Sequence, residues 1–412
     1  MNSIVKITVQ VFSFDILSKI LLGGINILLI RFMADSEYAY YTLALSIITI
    51  FTRTLVSSFN RIYIVGCKRI KSVTTPSSFL GLQLYGVATL VFITFPFQSF
   101  VGEIYWFTVV SIVATCLSRF SQTIFQEHLK FLQLSIVELN RTLVFVFAII
   151  VLIYFIRHEL KAWQILLLQA IAAFVVFIFS CSKELNLKRM FNVKESVYLA
   201  REIVMGEYKY LFGYFLVIAV FSQVDVFVLR AIASDVELAT YGSAFRYYSL
   251  LLLGLGAVHT VFLPVIQNVK SISELEIIFM KHKRMLLLFV PLVLFSAWIS
   301  QWVIPWIDMG KYPNAVMVFQ ILAVSAIISF AFSPHVNIVM RFEDFRFLFI
   351  LINFALLVNV VLTLGFIPKL GATGAALATL IAFGFVNSVI FLRSNKHKKL
   401  LLTAPPVDSQ LS

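Results

Sequence analysis

About a dozen stretches of roughly twenty predominantly apolar residues follow one another along the chain, separated by short polar turns. At 1.5 Å rise per residue, a helix of about that length matches the ~30 Å hydrocarbon core of a bilayer, where it satisfies its own backbone polar groups. The spans fall at 11–33, 38–59, 79–97, 104–126, 134–156 and 162–181, then at 210–232, 241–264, 285–306, 315–340, 347–367 and 374–392. Composition agrees: 60% of the 412 residues are hydrophobic and 13% charged, against about 45–50% and 25% in soluble domains. The expectation is an all-α polytopic membrane protein of about 12 transmembrane helices, and a water-soluble fold is excluded.

The formal net charge is +13. The basic residues lie in short turns between apolar spans and form no stripe or tail, so topology explains them better than nucleic acid does. With the N-terminus on the cytoplasmic side, roughly 22 of the 33 Lys and Arg fall in inner segments and six in outer ones, as the positive-inside rule requires. Both termini are therefore expected to be cytoplasmic. Lys6 precedes a long first span with no small-residue cleavage site, which reads as a retained anchor. The three cysteines, Cys67, Cys116 and Cys181, are widely spaced and mostly within spans, which implies neither a disulfide framework nor a metal cluster.

The longest hydrophilic stretch sits midway, giving an expected organisation of an N-terminal six-helix lobe (1–181), a cytoplasmic connector (182–209), a C-terminal six-helix lobe (210–393) and a cytoplasmic tail (394–412). A short internal repeat supports two similar halves. Arg31, Glu37, Ala39, Tyr41 and Ala44 recur in order as Arg230, Glu237, Ala239, Tyr241 and Ala244. Each set lies at the turn between the first and second helices of its half, as in a parallel repeat.

Charges inside spans are costly and need individual explanations. The second helix carries Thr42, Ser46, Thr49, Arg53 and Ser57 on one face; the fourth carries Thr108, Ser111, Thr115, Arg119, Gln122 and Gln126; the first adds Asp15, Lys19 and Asn26. These stripes suggest a shared aqueous cavity lined by Arg53 and Arg119. Lys19 has Asp15 four residues away and Arg141 has Glu138 three away, spacings that also suit local ion pairs. Asp225 and Arg246 sit at similar depth on helices seven and eight and are expected to pair. His259 and His335 read as hydrogen-bonded packing residues. Lys19, Arg53, Arg119, Arg141 and Arg246 outnumber Asp15, Glu138 and Asp225, so the interior is net positive and suits an anionic, phosphate-bearing ligand. Asp225 and Asp15 are the candidates for proton or ion coupling. No phosphate-binding glycine loop, zinc-binding histidine pair or nucleophile elbow is present, so no enzymatic activity, cofactor or metal is expected.

Four groups of residues carry a family resemblance. They are Ile30-Arg31-Phe32-Met33 with Glu37-Tyr38; Gln223-Val224-Asp225 with the segment from Ala239 to Ala244; Gly310-Lys311-Tyr312 with Ala315; and the run from Gly371 to Thr379. In their order and spacing they resemble the O-antigen (Wzx-like) polysaccharide flippases of the multidrug and oligosaccharidyl-lipid exporter superfamily. The resemblance implies a MATE-like exporter fold and a flippase that moves undecaprenyl-diphosphate-linked oligosaccharide across a bacterial inner membrane. It implies as partners the lipid-linked glycan, membrane lipids, and the polymerase and chain-length proteins of the same pathway. Related lipid II flippases carry cavity cations on helices one, two and eight, which corresponds here to Lys19, Arg53 and Arg246. Two rival functions are a drug or cation antiporter of the same superfamily, against which the positive interior argues, and a membrane glycan polymerase or ligase, against which the short outer loops argue.

Overall fold

Long apolar runs with few helix breakers give a chain that is almost entirely helical. The computed structural model describes residues 2–59, 76–127, 130–155, 159–181, 185–206, 209–267, 269 and 271–403. The first half contains α1 (Asn2–Phe32), α2 (Asp35–Phe51), α3 (Pro76–Thr94), α4 (Tyr105–Glu127), α5 (Phe131–Phe155) and α6 (Ala162–Cys181). A connector helix, α7 (Val193–Val204), leads to α8 (Lys209–Phe221) and α9 (Val224–Ile232). The chain continues with α10 (Asp235–Gln267), α11 (Ile272–Ile307), α12 (Ala315–Arg341) and α13 (Phe345–Thr403). Among the described residues the only β-type pairing is an isolated bridge between Met33 and Leu160.

Eight described helices are long and apolar enough to cross a membrane. The longest, Phe345–Lys398, has 54 residues, about 80 Å of helix and more than twice the thickness of a bilayer core. It is interrupted at Gly371, whose φ of 55° and ψ of −136° lie outside the helical region, so it supplies both expected spans at 347–367 and 374–392. The remaining three expected spans lie on α1, on α10 and on the pair α8 and α9. Large apolar side chains face away from protein on these helices, among them Phe147 and Tyr154 on α5 and Trp298, Trp302 and Trp306 on α11, the surface a lipid environment selects.

Three departures from the sequence reading have identifiable causes. The seventh span is not one helix over 210–232: it breaks at Ser222 and Gln223, where the Ser222 hydroxyl bonds the Ala219 carbonyl at 2.9 Å and Gln223 N bonds Val220 O at 3.0 Å. A serine hydroxyl that takes a local carbonyl competes with the helical ladder. The ninth begins at Ile272, well before 285, because Ser271 caps it by accepting from Glu274 N, a Ser-x-x-Glu start. The tail from 394 continues as helix to Thr403, with Ser394 and His397 buried.

The chain forms two compact units, Met1–Gln223 and Val224–Ser412. In the first, α1 lies along α5, where Ser18 and Thr142 hydroxyls meet at 2.7 Å, and α4 packs on α6, where Ser111 donates to Leu166 O at 3.0 Å. In the second, α12 is the central helix, covered by α10, α11 and α13.

The internal repeat has a structural counterpart in each unit. Glu37 accepts from Ala162 N at 2.7 Å and so caps α6; Glu237 accepts from Ala372 N at 2.6 Å and so caps the helix after the Gly371 break. In both, a carboxylate at the start of a second helix satisfies an orphan N–H at the start of a sixth. The Gly371 conformation brings its backbone against the Glu237 carboxylate, where an added Cβ has no room. We expect Gly371→Ala to cost about 2–4 kcal/mol, from positive-φ strain together with loss of the cap. Thermal unfolding of the purified protein checks this, and an unchanged midpoint would rule the account out.

Candidate substrate and coupling sites

The polar stripes divide into packed and open parts. On α2, Thr42 and Ser46 are buried, and the hydroxyls of Ser46 and Thr49 donate to carbonyls one turn back, Thr42 O at 3.0 Å and Leu45 O at 2.7 Å. On α4, Thr108 and Ser111 are buried, with Thr108 bonded to Ile104 O and Ser111 to α6. These first turns of α2 and α4 are helix packing and do not line an aqueous cavity as the spacing suggested. Small hydroxyl residues satisfy themselves within a helix and let neighbours approach closely, which the stripe pattern alone does not reveal.

Arg53 is different. It lies in a π-helical turn, Thr52–Ser57, that continues α2, and its side chain is exposed. That turn packs against α3, α4 and α8. The Arg53 guanidinium donates from Nη1 to Ser222 Oγ at 3.2 Å. Ser222 closes α8, thirteen residues past Lys209, or about 20 Å along the axis. Arg53 is therefore turned toward the C-terminal end of α8 and not toward its start at Lys209. Arg119 is half-buried on α4, the helix that the Arg53 turn packs against. Lys19 is exposed on α1. The side chains of Asp15, Ser57, Gln122 and Gln126 lie outside the described residues, as does that of His259.

Arg141 forms an ion pair with Glu138 one turn away, with both side chains mostly buried. Its charge is balanced locally by Glu138. The cause is the i,i+3 spacing on a helix whose remaining surface is apolar.

In the second unit the expected Asp225–Arg246 pair does not form. Asp225 is buried in the first turn of α9 and accepts from the hydroxyls of Tyr241 at 2.7 Å, Thr363 at 3.4 Å and Thr379. Thr363 also donates to Asn359 Oδ1 at 2.7 Å. Arg246 lies five residues beyond Tyr241, about 140° further round α10, so the face of α10 that meets Asp225 carries a phenol and not the guanidinium. Arg246 is half-buried. The adjacent face of α10 holds a second carboxylate, Asp308, whose oxygens accept from Ser243 and Tyr247 at 2.6 Å each. His335 is a packing residue, bonded through Nδ1 to Ser394 Oγ at 2.6 Å between Phe279 and Phe391.

A carboxylate ringed by neutral oxygens from α10 and α13 can hold a proton or a small monovalent cation, because among the described residues no arginine or lysine pairs with it. The N-terminal dipole of α9 gives it partial support. Sequence reading found Asp225 but missed Tyr241, Asn359, Thr363 and Thr379. Polar residues four apart in an otherwise apolar span, Asn359 and Thr363, were the available signal.

No protein-family model matches the chain, and no curated protein matches it in sequence. Solved structures do match. The lipid II flippase MurJ in an inward closed conformation aligns over 96% of this chain and 90% of its own, with a TM-score of 0.73 at 17% identity. An inward-facing multidrug resistance MATE transporter of the MOP superfamily aligns over 96% and 99%, with a TM-score of 0.72 at 13% identity. A Vibrio cholerae MATE transporter aligns over 97% and 99%, with a TM-score of 0.59 at 12% identity. The chain has the all-α fold shared by MATE and MurJ membrane transporters, as the sequence reading expected.

Proposed function

We propose that this chain is a flippase that carries an undecaprenyl-diphosphate-linked oligosaccharide from the cytoplasmic to the outer leaflet of a bacterial inner membrane, for O-antigen or a related surface polysaccharide. The observation that carries this reading is Arg53: a guanidinium presented from a π-helical turn and bonded to Ser222 at the end of α8. A planar cation with several donors recognises a diphosphate through paired charge-assisted bonds. Arg119, on the helix next to that turn, and Lys19 on α1 complete the head-group site in the first unit, and Arg246 is the second unit's own candidate head-group cation. Arg141, held by Glu138, is a structural residue in this reading. The lipid tail stays in the bilayer while the head group changes sides by alternating access, the usual behaviour of repeat-built transporters.

An interior-negative potential favours outward movement of two phosphate charges by roughly 4–5 kcal/mol per 100 mV. Asp225, with Tyr241, Asn359, Thr363 and Thr379, is the coupling site for a proton or small cation that resets the cycle. The drug-antiporter reading shares that coupling site but gives no use to Arg53 and Arg119. Loss of the gene is expected to leave lipid-linked repeat units on the cytoplasmic face, detected by their inaccessibility to an outside sugar-modifying reagent. Translocated single units instead would point to a polymerase, and unchanged glycan together with altered drug tolerance would point to an antiporter.

A further inference from the structure

The connector helix α7 divides into sectors that an ordinary surface helix does not have. At about 100° per residue, its buried residues Ser196, Leu199 and Ile203 occupy one sector against α3. The adjacent sector, an arc of about 60°, holds Val193, Val197, Ala200 and Val204, and all three valines are exposed. The next holds the two exposed cations Lys194 and Arg201. Leu187, Phe191 and Met205, just outside the helix, are exposed as well.

The segment also lies alongside the opening turns of a membrane span. Asn186 N donates to Ser77 Oγ at 3.1 Å, Ser78 Oγ to Glu195 Oε2 at 2.5 Å, and Tyr85 OH to Phe191 O at 3.2 Å. Met190 backbone occupies the space above Gly81, where no side chain would fit. From Ser77 to Tyr85 is about 12 Å along α3. A strip of exposed valines beside the first 12 Å of a spanning helix faces the boundary between acyl chains and head groups.

We propose that α7 is an interfacial helix that sets Val193, Val197 and Val204 into the inner-leaflet acyl region and holds anionic phospholipid head groups with Lys194 and Arg201. Two lines favour lipid as the occupant: the segment is hydrogen-bonded along the opening turns of a helix long and apolar enough to span a membrane, and cations flank the apolar strip on one edge, as in helices that lie on anionic membranes. The inference rests on the reading of the chain as membrane-spanning and is independent of its cargo.

The test places single cysteines at Val197, Val204 and Tyr198 in the full-length protein with Cys67, Cys116 and Cys181 replaced by Ala. They carry a fluorescent label, and the protein is reconstituted in phosphatidylcholine vesicles containing phosphatidylglycerol. Labels at 197 and 204 are expected to be quenched by nitroxides on acyl chains and protected from aqueous iodide, with the reverse at 198. Spin-labelled phosphatidylglycerol should quench the label at 197 more than spin-labelled phosphatidylcholine. The pair Lys194→Gln and Arg201→Gln should remove a preference of up to about thirtyfold, roughly fivefold per cation. Iodide access at 197 and 204 equal to that at 198 would overturn the proposal. So would protection from both quenchers with cross-linking between copies, which would assign the face to a second copy of the chain.

Discussion

Arg53→Gln is expected to abolish export of the lipid-linked glycan while leaving the amount of protein in the membrane unchanged. Truncating one partner of a desolvated, hydrogen-bonded charge pair costs about 2–5 kcal/mol, which corresponds to a loss of roughly thirtyfold to several thousandfold in head-group affinity. Arg53→Lys keeps the charge but not the planar fork, so it should restore only part of the activity. Ser222→Ala separates binding from architecture. It removes the guanidinium's partner at the helix break but leaves the cation in place, so it should reduce export no more than a few-fold, the effect of one neutral hydrogen bond of about 1 kcal/mol. If Ser222→Ala were as damaging as Arg53→Gln, the arginine would be a prop for the break and not a ligand. Arg119→Gln should match Arg53→Gln, and full surface glycan in both would remove the proposed site. The measurement is surface polysaccharide after complementation, beside membrane-fraction immunoblots.

The all-α, multi-pass membrane class and the order of the long apolar helices were legible because hydrophobic length is a one-dimensional property: a bilayer fixes it and no partner alters it. What the sequence left hidden was lateral. The face that carries Thr42, Ser46 and Arg53 looks uniform by spacing, yet Thr42 and Ser46 are buried while Arg53 is exposed. Which of these faces protein depends on where α4 and α6 lie. The Asp225–Arg246 expectation failed for the same kind of reason. Spacing along the chain carries no information about rotation, and rotation about α10 turned Tyr241 toward the acid. Glu37 and Glu237 show the opposite case, where a repeat of a few residues marked positions with equivalent roles, each carboxylate capping a sixth helix. The break at Ser222 had only a weak cue, since serine and glutamine occur in many unbroken spans.

A buried carboxylate makes its own prediction. Asp225→Asn should keep the protein folded, with an unfolding temperature equal to or above that of the natural chain, because an ionised group held by neutral side chains carries a desolvation cost that the neutral amide avoids. Transport should nonetheless lose its response to an imposed ion or pH gradient. One coupling charge moved through 100 mV supplies about 2.3 kcal/mol, so its loss removes roughly a fiftyfold contribution to the distribution that the transporter can sustain. In reconstituted vesicles, a gradient should accelerate head-group translocation by the natural chain and leave the Asp225→Asn variant near its gradient-free rate. Tyr241→Phe and Thr379→Val, each removing one donor, should shift the ion concentration or pH that gives half-maximal rate without abolishing the response. That shift distinguishes a site that binds and releases an ion from a carboxylate that only fastens α9 to α10 and α13. If Asp225→Asn retained the full gradient response, coupling would have to reside elsewhere, and the hydroxyl ring would be explained by packing alone.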